Sequence, residues 1–200
     1  MILKYPGAKN KIAKKIIRYI PQHEVYLEPF FGSGAVFFNK NKSYLETIND
    51  IDLDIFNYFN VLRKDPKTLA ESLKLTCYSR AEYEASYVYD ENDDEIEKAR
   101  KFAVRCYMGF GASNRYKNGF RSSQQGSSPK VTKLWDDFPD KLYQASCRLK
   151  DAQIENLDAL ELIKRYDTKD CFIYLDPPYV PELRKKYLYK NCSLCKWYSS

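Results

Sequence analysis

Three short segments of this chain carry residues that could do chemistry together. The first is DPPY, Asp176 to Tyr179, where the apolar run CFIYL (171–175) ends in a carboxylate, two prolines and an aromatic ring. Neither proline can donate to a sheet and each fixes φ, so the strand must stop and the peptide between them is stiff. A carboxylate, a carbonyl with no competing N–H beside it and a flat ring suit one kind of ligand, a planar ring bearing an exocyclic amine. The second segment is EPFFGSG, Glu28 to Gly34, whose glycines allow close backbone approach to a ligand where a helix begins. The third is Asn49-Asp50, a little under twenty residues beyond those glycines. In nucleotide-binding α/β units an acid at that distance accepts hydrogen bonds from ribose hydroxyls. A lone GxG is an ordinary turn, and an acid before a helix is often a cap, a role that Asp52 suits better than Asp50. The glycine turn and the acid together favour a nucleoside-bearing cofactor, and DPPY adds the grip on an amine.

These segments need strands to aim them. Val25–Leu27 reads as a short strand feeding the glycine turn, and Glu28–Asn39 as that turn running into a helix. Ser43–Ile48 reads as a second strand, Leu53–Arg63 as a helix, and Cys171–Leu175 as the strand that delivers Asp176. Isoleucines 12, 16 and 20 recur at helical spacing over Lys9–Ile20, until Pro21 stops the helix. From Pro66 the periodicity is helical only: Pro66–Leu75, Ser79–Tyr87 and Asp93–Tyr107, then 140–148 and 158–166. Between them, Gly109–Pro129 is polar and basic, and its Asn118-Gly119 is a hairpin-turn dipeptide. The expected organisation is an α/β domain in two parts, residues 1–62 and 146–200, interrupted by a helical insertion over 63–145.

Bulk properties are consistent with a soluble, nucleic-acid-facing chain. The net charge of +6 suits a polyanionic partner. Eighteen tyrosines supply flat side chains that could stack on bases. Mean hydropathy is −0.61 and no apolar run approaches a membrane span, so a cytoplasmic protein with no membrane partner is expected. The six cysteines, met without a secretory signal, read as reduced and mostly buried thiols. Cys192 and Cys195 have zinc-like spacing but neither a second pair nor a nearby histidine, so no metal site is expected. The single histidine, His23, reads as an exposed loop residue.

The order and spacing of these motifs resemble the Dam-type adenine-N6 DNA methyltransferases. YPGAK (Tyr5 to Lys9) is similar to that family's N-terminal motif, LEPFFGSGAV (Leu27 to Val36) to its S-adenosylmethionine loop, Asn49-Asp50 to its ribose-binding acid, and Asp176 to Tyr179 to its catalytic motif. The resemblance implies a Rossmann-like S-adenosylmethionine-dependent methyltransferase fold with a target-recognition insertion. It implies double-stranded DNA as partner, an adenine flipped out of the duplex as substrate, and a role in restriction–modification or in a phage. By the same resemblance Asp176 and the Pro177 carbonyl hold the amine, Pro178 stiffens the loop and Tyr179 stacks on the base. The implied cofactor set is Tyr5, Lys9, Glu28, Pro29, Phe30, Gly32, Ser33, Gly34, Asp50 and Asp158. The implied DNA contacts are Asn114, Arg115, Tyr116, Asn118 and Arg121, from what resembles the family's DNA-entering loop, and a monomer is expected.

The resemblance runs to about Lys190. Asn191–Ser200 then departs from the pattern, so a chain truncated after DPPY is expected, with the Asp176 strand left as a sheet edge. That departure keeps an alternative open, a catalytically impaired remnant that only binds DNA. A methyltransferase acting on another planar nitrogen, such as cytosine N4 or a glutamine amide, fits less well, because such relatives more often carry Ser or Asn where Asp176 stands.

Overall fold

In the computed structural model the fold is described for residues 2–110, 117–123 and 130–178. Its frame is a four-stranded, fully parallel sheet of β1 (Val25–Glu28), β2 (Leu45–Asn49), β3 (Ala152–Glu155) and β4 (Cys171–Ile173), in the order β3-β2-β1-β4. The register pairs Val25 with Leu45 on one side and with Cys171 on the other. Parallel strands buried on both faces read as continuous apolar runs, and Tyr26, Leu27 and Ile48 are indeed fully enclosed. Because all strands run the same way, their C-terminal ends open on one edge. The order reverses at β1, so the crevice lies between the tips of β1 and β4. The observed architecture, a parallel sheet with helices packed on it, is the expected Rossmann-like α/β arrangement.

Helices α1 (Ala13–Ile17), α2 (Leu53–Lys64), α3 (Pro66–Leu75), α4 (Arg80–Ala85), α5 (Glu95–Met108), α6 (Val131–Asp136), α7 (Leu142–Leu149) and α8 (Ala159–Arg165) complete the described elements, with a 3₁₀ turn at Pro139–Lys141. Their starts follow from capping chemistry. Asp52, Asp65, Ser79, Asp94 and Asp158 each accept a backbone N–H of the first turn of α2, α3, α4, α5 and α8. Helix α2 is the hub: it packs on α5, α7, α3 and β3. Its Ile55, Tyr58, Phe59, Val61 and Leu62 are buried, and Phe59 meets Phe31 edge-on at 4.8 Å between ring centroids.

A second layer of support is ionic. Glu46 of β2 is enclosed with Lys40 and Arg148: Lys40 Nζ lies 2.5 Å from Oε1, and Arg148 pairs with both carboxylate oxygens. Both cations also face aromatic rings, Lys40 over Tyr26 at 4.2 Å and Arg148 over Phe37 at 3.9 Å. Burial alone would raise the carboxyl of Glu46, but hydrogen bonds from Arg148, Lys40 and the Ser43 amide hold it below the usual carboxylate range.

Several expectations are corrected. The segment after the glycines forms successive turns through Asn39 instead of a regular helix. Gly34 has φ of +64° there, and Asn39 Nδ2 donates back to the Ala35 carbonyl at 2.8 Å, closing the turn locally. Only Ala13–Ile17 of the expected 9–20 helix is regular, and Ile12 stays 47% exposed where a core face was expected. Strand β3 and helix α6 carried too little periodicity to be expected. His23 is only half-exposed and packs its ring 5.3 Å from Phe172, with Nε2 at 2.8 Å from Ser43 Oγ. Among the described cysteines only Cys106 is buried; Cys77 and Cys147 are exposed. The extra surface reflects their places at helix ends and outer faces, which sequence spacing does not report.

Candidate active site at the carboxyl edge of the sheet

Four loops meet over the crevice: Tyr5–Lys9 from the N-terminal segment, Phe30–Val36 after β1, Asp50–Asp52 after β2, and Tyr174–Pro178 after β4. They enclose a cleft of about 700 Å³, including space open to solvent. Of the cofactor and catalytic residues expected from sequence, the fold gathers Tyr5, Lys9, Glu28, Phe30, Gly32, Ser33, Asp50, Asp176 and Pro178 into its lining.

The glycine loop is shaped by two left-handed positions, Gly32 at φ +51° and Gly34 at φ +64°. A Cβ on Gly34 would meet the Phe31 and Phe38 rings at 2.5 and 2.7 Å, so the loop's curvature and its aromatic underside require glycine. With this curvature the Gly32 amide donates to Asp50 Oδ2 at 2.8 Å, and the Asp52 amide donates to Oδ1 at 3.0 Å. Burial drives the Asp50 carboxyl up to about 7 despite those bonds. Asp52 caps α2, as its position suggested.

Beneath the loop, Glu28 is buried, with its Oε2 accepting from the Tyr26 hydroxyl at 2.7 Å. Burial pushes its carboxyl up to about 8, and the nearby negative charge of Asp176 adds to the rise. At the mouth of the cleft Lys9 Nζ lies 2.6 Å from each carboxylate oxygen of Asp176. The pair is neither buried nor free, with side chains 19% and 25% exposed. Asp176 thus presents both oxygens to a cationic N–H donor in the cleft.

Residues outside the lining have other posts. Pro29 offers its carbonyl to Asn49 Nδ2 at 2.9 Å. Asp158 caps α8, accepting from Leu160 N at 2.9 Å. Pro177 is exposed. Tyr179, Asn114, Arg115 and Tyr116 lie outside the described residues.

Asn118 and Arg121 sit instead beside the end of α5. There Phe110 and Gly119, and Arg121 and Met108, pair as an antiparallel bridge with bonds of 2.7 Å. Lys4 joins them, its Nζ donating to the Gly109 carbonyl at 3.3 Å. Burial, with Arg121 close by, lowers its ammonium to about 8.

Sequence reasoning missed two kinds of residue. Tyr174 lines the cleft two positions before Asp176, just past the end of β4. Asn49 is buried and bonds the Pro29 and Leu157 carbonyls and the Leu157 amide, stapling the loops after β1 and β3 together. Asn156 adds a bond to the Asp50 carbonyl at 2.6 Å. Only a buried amide beside the acid could have signalled this.

Comparison with known proteins agrees with the geometry. Residues 5–196 match the family model described as D12 class N6 adenine-specific DNA methyltransferase. The chain is 27% identical to the DNA adenine methylase of Vibrio cholerae, with 90% of this chain and 65% of that protein covered. It is 29% identical to the Type II methyltransferase M.MjaIII of Methanocaldococcus jannaschii, over 90% of this chain and 68% of that one. It is also 27% identical to the DNA adenine methylase of Haemophilus influenzae, over 90% of this chain and 63% of that protein. The chain therefore spans about two thirds of the length of these relatives. A match over most of the chain, on a parallel sheet whose carboxyl edge joins the glycine loop, Asp50 and Asp176, establishes the family: this chain belongs to the D12 class of N6 adenine-specific DNA methyltransferases.

Proposed function

We propose that the chain transfers a methyl group from S-adenosylmethionine to the N6 amine of an adenine flipped out of double-stranded DNA. The observation that carries this reading is the Lys9–Asp176 pair at the mouth of a cleft whose floor is the glycine loop and Asp50. The donor set fits the cofactor. Among the described residues of the lining, Asp50, Asp52 and Asp176 stand with Lys9 as the one lysine or arginine, which suits a cationic sulfonium and an amine that becomes positive. Asp50 would receive the ribose hydroxyls, Gly32 and Ser33 would lie against the amino-acid end, and Tyr5 and Phe30 would wall the site. Glu28 would stiffen the loop from below, Pro29 and Gly34 would shape it, and Asp158 would act through the α8 end of the cofactor edge. When bound, S-adenosylmethionine supplies an electrophilic methyl group.

The chain's own residues do the rest. An adenine amine is a poor nucleophile because its lone pair is delocalised into the ring. Asp176 and the Pro177 carbonyl would accept its two N–H groups and orient the lone pair, and the carboxylate would stabilise positive charge developing on nitrogen. Lys9 holds the carboxylate in the accepting direction and marks where a donor is received. Pro178 would stiffen the loop, and Tyr179 would stack on the extruded base, a contact worth roughly 1–3 kcal/mol by analogy with base–aromatic stacking. Residues 63–145 would form the target-recognition insertion, with Asn114, Arg115, Tyr116, Asn118 and Arg121 toward the DNA. Residues 1–62 and 146–200 would form the catalytic part.

The test is a transfer assay with tritiated S-adenosylmethionine, the purified chain, and duplex DNA either unmethylated or already methylated at adenine N6. Label in N6-methyladenine from the unmethylated duplex, abolished by Asp176→Ala, is the expected result. No cofactor binding by the purified chain would overturn the proposal.

A further inference from the structure

The extended segment Asn118–Arg121, which meets Gly109 through a bridge at Phe120, is held by two tyrosines that do not line the cleft. Tyr83 of α4, whose side chain is fully buried, donates its hydroxyl proton to the Asn118 carbonyl at 2.5 Å and faces the Tyr87 hydroxyl at 3.1 Å. Tyr78, just before α4, donates to the Arg121 carbonyl at 2.7 Å. The two anchors thus grip both ends of the strand that bridges Met108–Phe110.

Phe120 fills the space between them. Its ring lies 5.3 Å from Tyr78 and 6.0 Å from Tyr83, with the Arg80 guanidinium 5.1 Å from its centroid.

The grip is itself braced. Arg100 of α5 bonds Glu82 of α4 at 2.9 Å and Thr76 at 3.0 Å, and Ser79 caps α4 through Glu82 N. A Cβ on Gly109 would meet the Arg105 carbonyl at 2.8 Å and the Tyr83 hydroxyl at 3.5 Å, so a residue larger than glycine at the end of α5 would crowd the tyrosine that holds Asn118. Both tyrosine hydroxyls donate to carbonyls. They set where the backbone of this strand lies and leave its side chains to other work.

We infer that Tyr83 and Tyr78 are positioning residues for DNA sequence selection, holding the Asn118–Arg121 strand in the register at which its side chains meet DNA. The inference rests on the DNA-methyltransferase reading above. It predicts that removing either hydroxyl while keeping the ring blurs the choice of sequence and leaves the cofactor cleft intact.

The test uses the full chain, as wild type, Tyr83→Phe, Tyr78→Phe, the double variant, and Tyr143→Phe as a control on an exposed ring. Each is given a pool of randomised duplexes, and the bound fraction is sequenced; S-adenosylmethionine affinity and melting temperature are measured alongside. Each single variant should lower the preference for the wild-type consensus about tenfold, the effect of one lost well-made hydrogen bond. The double variant should fall short of the product of the two, because both hold one strand. Cofactor affinity should be unchanged and Tyr143→Phe should select as wild type does. If wild type selects a consensus and the tyrosine variants select it equally well, whatever their melting temperatures, the inference is overturned. If wild type itself selects no sequence, the DNA-methyltransferase reading falls first.

Discussion

Lys9 and Asp176 are separated by 167 positions in the chain, yet the lysine ammonium lies 2.6 Å from both oxygens of the aspartate. The contact joins the N-terminal loop to the tip of β4 and sets the direction in which the carboxylate accepts. Lys9→Ala should lower methyl transfer at saturating cofactor by about 10–100-fold, since the acceptor loses its orientation. Stability should change by less than about 1 kcal/mol, as expected for a pair that solvent still reaches. Steady-state kinetics with thermal melting on the same preparation checks both halves.

Gly34 has less latitude. Gly34→Ala would put a methyl into two phenylalanine rings at a positive φ. We expect a loss of about 2–4 kcal/mol in stability, from overpacking and left-handed strain together. Cofactor affinity should fall at least tenfold even at temperatures where the chain remains folded. Denaturant titration and isothermal calorimetry would separate the two effects.

Two buried carboxyls make stability depend on pH in an unusual direction. Glu28 is pushed up to about 8 and Asp50 to about 7, both chiefly by burial, from ordinary values of 4.5 and 3.8. Across that window the native state holds protons that the unfolded chain has released. The stability these groups give is complete below the unfolded values and is lost as pH rises through the folded ones. Unfolding free energy should therefore decline from about pH 4.5 to pH 8, by at most about 1.4 kcal/mol per pH unit per group. Urea titrations across the range measure the slope. Glu28→Gln, which keeps an acceptor for Tyr26, should flatten it between pH 7 and 8, where Glu28 is the group still losing its proton.

Much of this was readable in the chain. Pro66–Leu75 is a helix with the expected limits because Asp65 caps it and Pro66 sits in its first turn. The strands that lead to Glu28, Asp50 and Asp176 were legible because the runs end in turn residues, although β4 stops at Ile173, short of the expected Leu175, and β1 takes in Glu28. The failures share a cause. AQIE (152–155) becomes β3 only because Glu46–Asn49 lies alongside to pair with it. The partner of Lys9, the Asn49 staple and the half-buried His23 are likewise products of contacts distant in sequence, which local pattern cannot register. Asp158 shows the reverse case: the residue was noticed, and the structure shows it as the cap of α8.

Glu46 supplies a prediction away from the site. Its carboxylate neutralises two enclosed cations, so Glu46→Ala should cost about 3–5 kcal/mol by leaving Lys40 and Arg148 uncompensated. Chemical denaturation measures it. Replacing all three residues by apolar ones of similar volume should restore most of the loss.

The register of β1 bears on the order in which the site is made. Its partner on one side, β2, follows within a short stretch of chain, while β4 on the other side arrives only after all eight described helices. During synthesis the glycine loop and Asp50 can therefore close on each other early, whereas Asp176 has no place until the late strand docks. On the proposed reading, a chain stalled or cleaved before Cys171 would keep the glycine loop and Asp50 without Asp176, and a slow final folding phase should be the one after which methyl transfer appears.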